Sequence, residues 1–86
     1  MTQESSESRI KRLKMRSMRR GIKEMDIILS AYADGHLTRM SEAQITLYDA
    51  LLEENDQDLY SWVTGQTKPP ERFEAMLSQI AQTFQN

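Results

Sequence analysis

The chain has 86 residues, which sets it at one domain with a thin core, since a domain of this size buries only about 60% of its unfolded surface. It has no cysteine, which excludes disulfides, thiolate metal sites and a cysteine nucleophile and favours a reducing compartment. Net charge is −2, but eight of the eleven Lys and Arg fall between Arg9 and Lys23, while eight acids and only two bases follow from Glu42 onward. A basic arm on an acidic body either steers an anionic partner or packs beside the body's own acids.

Residues 1–7 are polar and read as a disordered tail ahead of a single helical domain over 8–86. They contain no apolar signal core, and Glu4 and Glu7 oppose a transit peptide. No apolar run approaches the roughly 20 residues that span a bilayer. A cytoplasmic location is therefore expected.

A first helix is predicted from Ser8, as N-cap, to Met18, with Ile10 and Leu13 on a narrow apolar stripe. Gly21 offers a bend or a close backbone approach. A second helix is predicted over Ile22 to Ala33, carrying Met25, Ile28, Leu29 and Tyr32, and Asp34-Gly35 is expected to end it. Ser41-Glu42-Ala43-Gln44 has the capping-box pattern and starts a third helix bearing Leu47, Tyr48, Leu51 and Leu52. Asn55 to Asp58 breaks the chain and caps a short fourth helix with Leu59, Trp62 and Val63, which Gly65 stops. Pro69-Pro70 precedes a last helix on which Phe73, Met76, Leu77, Ile80 and Phe84 recur at helical spacing. No segment alternates with period two, so the fold class is all-α, a compact bundle of about five short helices.

Chemistry is harder to find. His36 is the single histidine, so a histidine metal cluster is excluded, and beside Gly35 it reads as a turn residue. The carboxylates fall on helix ends and polar faces, and no phosphate loop or nucleophile motif occurs. Met15, Met18 and Met40, in or near basic stretches, suit an adaptable contact surface. The cluster Arg19-Arg20-Gly21-Ile22-Lys23-Glu24-Met25-Asp26 stands apart. A glycine among strong charges leaves room for a partner's backbone. Arg20 and Glu24, four apart, either pair with each other on a helix or meet a partner's charges. The basic stretch 9–23 also allows a nucleic-acid-binding reading, although it lacks interleaved aromatics and the overall pI is about 5.3.

Arg20-Gly21-Ile22-Lys23-Glu24 fits an RGxxE signature, Asp58-Leu59-Tyr60-Ser61-Trp62 an Asp-Leu-aromatic-x-Trp element, and Lys68-Pro69 a Lys-Pro before the last helix. On these residues, and over about Arg9 to Ala81, the chain resembles the succinate dehydrogenase assembly factors, also called flavinylation or FAD assembly factors. The resemblance implies a chaperone-like, non-enzymatic protein that is monomeric when free. It would bind the flavoprotein subunit of succinate dehydrogenase and, in some bacteria, that of fumarate reductase, and promote covalent attachment of the client's FAD to a histidine. The chain carries no Rossmann-type fingerprint, so no cofactor site of its own is expected, nor, from the residues above, a metal or a catalytic residue. By motif, Arg20, Gly21 and Glu24 should lie at the flavoprotein interface, with Arg19 and Asp26 beside them. Leu59 and Trp62 read as core.

Overall fold

Helix starts in this protein are set mostly by side-chain oxygens that accept the first free amides. The computed structural model describes residues 5–85 and contains α1 (Ser6–Met18), α2 (Lys23–His36), α3 (Glu42–Leu52), α4 (Asp56–Val63) and α5 (Glu74–Gln85). There is no strand among the described residues, in agreement with the period of the apolar pattern. The Ser41 hydroxyl accepts from the Gln44 amide and the Gln44 side chain accepts from the Ser41 amide, so the predicted capping box forms. Asn55 Oδ1 accepts from the amides of Gln57 and Asp58 at 2.8 and 3.2 Å and starts α4. α2 has no such cap: its N-cap, Ile22, has no side-chain oxygen and makes no capping bond.

Two boundaries differ from expectation. The cap of α1 is Ser5, whose hydroxyl accepts from the Ser8 amide, so the helix begins before Ser8. Of the segment expected as a tail, residues 1–4 lie outside the described residues, while Ser5 to Glu7 form the cap and first turn of α1. Gly35 does not end α2. The helix runs through it to His36, whose ring stacks on Tyr32 at 4.4 Å and whose Nδ1 lies 3.0 Å from the Tyr32 carbonyl. The chain continues into a 3₁₀ turn, Leu37–Arg39, that buries Leu37 completely. Burial of that leucine outweighs the stop signal, since a fully buried leucine is worth about 1.5–3 kcal/mol. Gly65 does act as the expected stop, with φ +79° just beyond α4.

α2 is the central helix, packing against α1, α4 and α5. Its Met25, Ile28, Leu29, Tyr32 and Ala33 are buried together with Tyr48, Leu51, Leu59, Phe73, Leu77 and Ile80. Ile45 and Leu37 join this core without having been singled out by periodicity, whereas Leu47 and Trp62 are only half-buried at its margin. The Trp62 ring tilts against Phe73 at 6.3 Å. Phe84, the last apolar position of the α5 stripe, is 52% exposed, because α5 runs past the end of the core.

Two polar contacts tie the layers. The Tyr32 hydroxyl donates to Gln79 of α5 at 3.0 Å. Tyr48 of α3 meets Ser17 of α1 through a 2.6 Å hydroxyl pair, and Ser17 also donates to the Leu13 carbonyl at 2.8 Å. Burial pushes the Tyr48 phenol up to about 12 and also raises that of Tyr32.

Candidate functional site

Most of the basic arm faces the body's own acids. Asp49 of α3 is the hub: Arg12 and Arg16 reach its carboxylate at 3.1 and 2.8 Å, and Arg9 stands at 3.9 Å. Arg9 also reaches Glu42 at 3.5 Å, Arg16 reaches Glu53 at 3.0 Å, and Lys14 reaches Asp34 at 3.8 Å. The hydrogen bond from Arg12, followed by the nearby charges of Arg12, Arg16 and Arg9, lowers the Asp49 carboxyl against the opposing effect of its partial burial. Between α1 and α3 this is an intramolecular ladder. Phosphate contacts would need free cations along the arm, and among the described residues only Lys11, Arg19 and Lys23 of the stretch 9–23 have no acid partner.

Arg20 does not pair with Glu24. It lies in the α1–α2 link, ahead of the helix that would align the two, and its side chain is 9% exposed. Its Nε donates to Asp56 Oδ1 at 2.7 Å, Nη1 to the Leu52 carbonyl at 3.2 Å and Nη2 to the Glu54 carbonyl at 3.2 Å. These two carbonyls, at the end of α3 and in the link to α4, would otherwise lack partners. The planar guanidinium thus closes the α3–α4 corner as a fork that a lysine could not reproduce.

Gly21 is part of the same assembly. Its amide donates to Asp56 Oδ2, and a Cβ at this position would stand 3.1 Å from that oxygen. The missing side chain therefore makes room for Asp56 from inside the molecule. Its φ is not in the left-handed region, so close approach, rather than backbone conformation, is what glycine satisfies here.

Of the other residues expected at the interface, Glu24 and Arg19 are at the surface and Asp26 is at its edge. Glu24, on the first turn of α2, is exposed and has no hydrogen bond or ion pair among the described residues. Arg19 and Lys23 are likewise exposed and unpaired. Asp26 is half-buried and accepts from the Ser30 hydroxyl at 3.4 Å. Around them Met15, Met18 and Ile27 are 45%, 56% and 56% exposed. An open groove of about 290 Å³ is lined by Met15, Arg16, Arg19 and Arg20. A second, of about 300 Å³, is lined by Met18, Ser30, Ala31, Ala33, Lys14 and Asp34. Met40, grouped with Met15 and Met18 from sequence, instead packs against the core. Exposed apolar side chains interleaved with unpaired charges of both signs suit a protein surface.

Sequence reasoning missed Asp56, the residue that joins Arg20 to Gly21. It was read only as part of a chain break, and its partners lie 36 and 35 positions away. No group of three or more His, Cys, Asp and Glu that could hold a metal ion occurs among the described residues. No helix of the described residues is long and apolar enough to cross a membrane.

Residues 11–84 match the family model described as flavinator of succinate dehydrogenase. The chain is 45% identical over 73 residues to succinate dehydrogenase assembly factor 2, mitochondrial, of Candida glabrata, covering 81% of this chain and 48% of that protein. It is 44% identical over 63 residues to the Meyerozyma guilliermondii protein of the same name, covering 73% of this chain and 47% of that protein. With its Danio rerio counterpart it shares 38% over 76 residues, covering 86% of this chain and 48% of that protein. The chain thus spans about half the length of these curated relatives. The expectation of a cytoplasmic location does not stand, because these relatives are named as mitochondrial. It drew on the first seven residues, four of them outside the described residues, and an address of that kind is read separately from the fold. Matched over nearly its whole length, and similar to assembly factors from yeast to fish, the chain belongs to the flavinator of succinate dehydrogenase family.

Proposed function

We propose that this protein binds the flavoprotein subunit of succinate dehydrogenase and promotes covalent attachment of that subunit's FAD, without being an enzyme itself. The observation that carries this reading is the family match over residues 11–84. The surface around Glu24 supplies a physical means. Holding a client in the arrangement from which a histidyl–flavin bond forms needs complementary shape and charge on the helper, and no reacting group from it. Arg19, Glu24 and the exposed Met15, Met18 and Ile27 are the contacts offered, with Asp26 at the edge and Arg20 and Gly21 holding the backbone beneath them. The flavin belongs to the client, and the free protein is a monomer that forms a one-to-one complex.

The test combines purified flavoprotein lacking covalent flavin, FAD and this protein, with covalent flavin read as in-gel fluorescence. Glu24→Ala should melt like the parent, since no intramolecular partner is lost, yet weaken client binding by roughly 2–5 kcal/mol if the charge is desolvated at the interface. In cells, deletion of the gene should abolish most flavin fluorescence of the subunit, and the fumarate reductase flavoprotein is scored in parallel as a second client. Full flavinylation in the deletion strain, with no second family member present, would remove the proposed function.

A further inference from the structure

α2 begins at Lys23 with no capping side chain of its own. A helix start without a cap frays unless something else fixes it, because its first amides are unsatisfied. Here the fixing comes from across the molecule. Asp56 is the first residue of α4, where the helix dipole favours a carboxylate and the Asn55 cap fixes the turn. One of its oxygens takes the Arg20 Nε and the other the Gly21 amide. The two residues immediately before Ile22 are thereby clamped to the α3–α4 corner, and Arg20 adds its bonds to the Leu52 and Glu54 carbonyls. Two and three residues beyond this clamp, Lys23 and Glu24 stand exposed and unpaired.

We propose that Asp56 is a positioning residue for the docking surface: through Arg20 and Gly21 it fixes where α2 starts and so where Glu24 is presented. The proposal rests on the functional reading above only for the identity of the client. The position held by glycine then has an internal cause, since a side chain there would displace the carboxylate that sets the register. Arg20 acts through the same clamp, with its guanidinium donors spent inside the protein.

The test uses Asp56→Asn in the full chain, which keeps the side-chain volume but removes the second anionic oxygen. Amide hydrogen exchange at Asp26 and Ile27, the first amides bonded within α2, should accelerate, while exchange at Ile80 in the core should not. The Gly21 amide proton, held downfield by its carboxylate acceptor, should move upfield. Client binding should weaken by at least about tenfold, as expected when a charged interface contact is lost. The double variant Asp56→Asn with Glu24→Ala should bind no more weakly than Glu24→Ala alone, because the two act in series. Multiplying losses in the double variant would overturn the proposal, as would exchange and chemical shifts unchanged by Asp56→Asn. Should Asp56→Asn fail to fold, Gly21→Ala perturbs the same contact more gently and is read by the same measurements, with the same outcomes deciding. If the parent protein does not bind the flavoprotein at all, the functional reading falls, and the exchange data alone decide the clamp.

Discussion

Replacing Ser17 with alanine removes one half of a polar pair sealed between α1 and α3, and the remaining half is the more expensive one to strand. Ser17 donates its proton to the Leu13 carbonyl, so in the 2.6 Å contact the Tyr48 hydroxyl is the donor. Both residues are fully buried. In Ser17→Ala the phenol loses its acceptor in a site closed to water, at about 1–3 kcal/mol. Alanine recovers up to about 0.5 kcal/mol through its better helix propensity. In Tyr48→Phe the serine keeps its bond to Leu13 and loses only an accepted proton, at about 0.5–1.5 kcal/mol. The double variant removes both groups and should be no less stable than Ser17→Ala, since replacing both partners by apolar groups approaches neutrality. Urea unfolding followed by the fluorescence of Trp62 measures all four proteins, and each 1 kcal/mol corresponds to about 4–8 °C in Tm for a domain of this size. The same tyrosine gives a pH arm. Its phenol is raised to about 12 from 10.0 by burial. The neutral form is therefore favoured by the fold, and the stability this provides is complete below pH 10 and lost as pH rises toward 12. Tyr48→Phe should remove that part of the alkaline loss. Additive losses in the double variant, or a double variant less stable than Ser17→Ala, would refute the assigned direction of the hydrogen bond.

Leu51→Ala should cost about 2–5 kcal/mol, because Leu51 is fully enclosed and the cavity left behind cannot close completely; a loss under 1 kcal/mol in urea unfolding would mean that α3 is less tightly held than its burial indicates. Asp49 has a lowered carboxyl, so the stability it provides is present above the unfolded value of about 3.9 and is lost as pH falls through the lower folded value. Asp49→Asn should accordingly be less stable than the parent at neutral pH, with the gap narrowing under acid; a gap that stays constant down to pH 2 would show that the ladder contributes nothing.

What could be read from the sequence was local. The Ser41–Gln44 box, the Asn55 cap and the stop at Gly65 each need only a few neighbouring residues, and each forms as the spacing implies. The apolar stripe Phe73, Met76, Leu77 and Ile80 is likewise a property of one segment, and all four are buried. Gly35 was misleading because the burial of Leu37 is decided by tertiary contacts, which a local stop signal does not report. Phe84 continues the stripe in sequence, but the core ends before it. For the candidate site, the residues of the RGxxE cluster were visible by motif while their division of labour was not. Arg20 is committed to Asp56 and two carbonyls, and Glu24 is left free, because the α1–α2 link folds onto a corner more than thirty residues away. No periodicity carries that information.

The ladder between α1 and α3 bears on how the molecule opens. Leu13 is the one apolar side chain of α1 that is fully buried, with Ile10 half-covered and Met15 and Met18 outside. Beyond those and Ser17, α1 is fastened by arginines whose side chains are 22–40% exposed. Salt screens such pairs without weakening apolar burial, so α1 can loosen as a unit of local unfolding while α2 and α5 stay closed on each other. The protein has a hard end, built of buried tyrosine, phenylalanine and leucine, and a soft end held by ions. The RGxxE cluster begins just past the end of α1, so the soft end should show itself as faster amide exchange along α1 at high salt, with exchange in α2 and α5 unchanged.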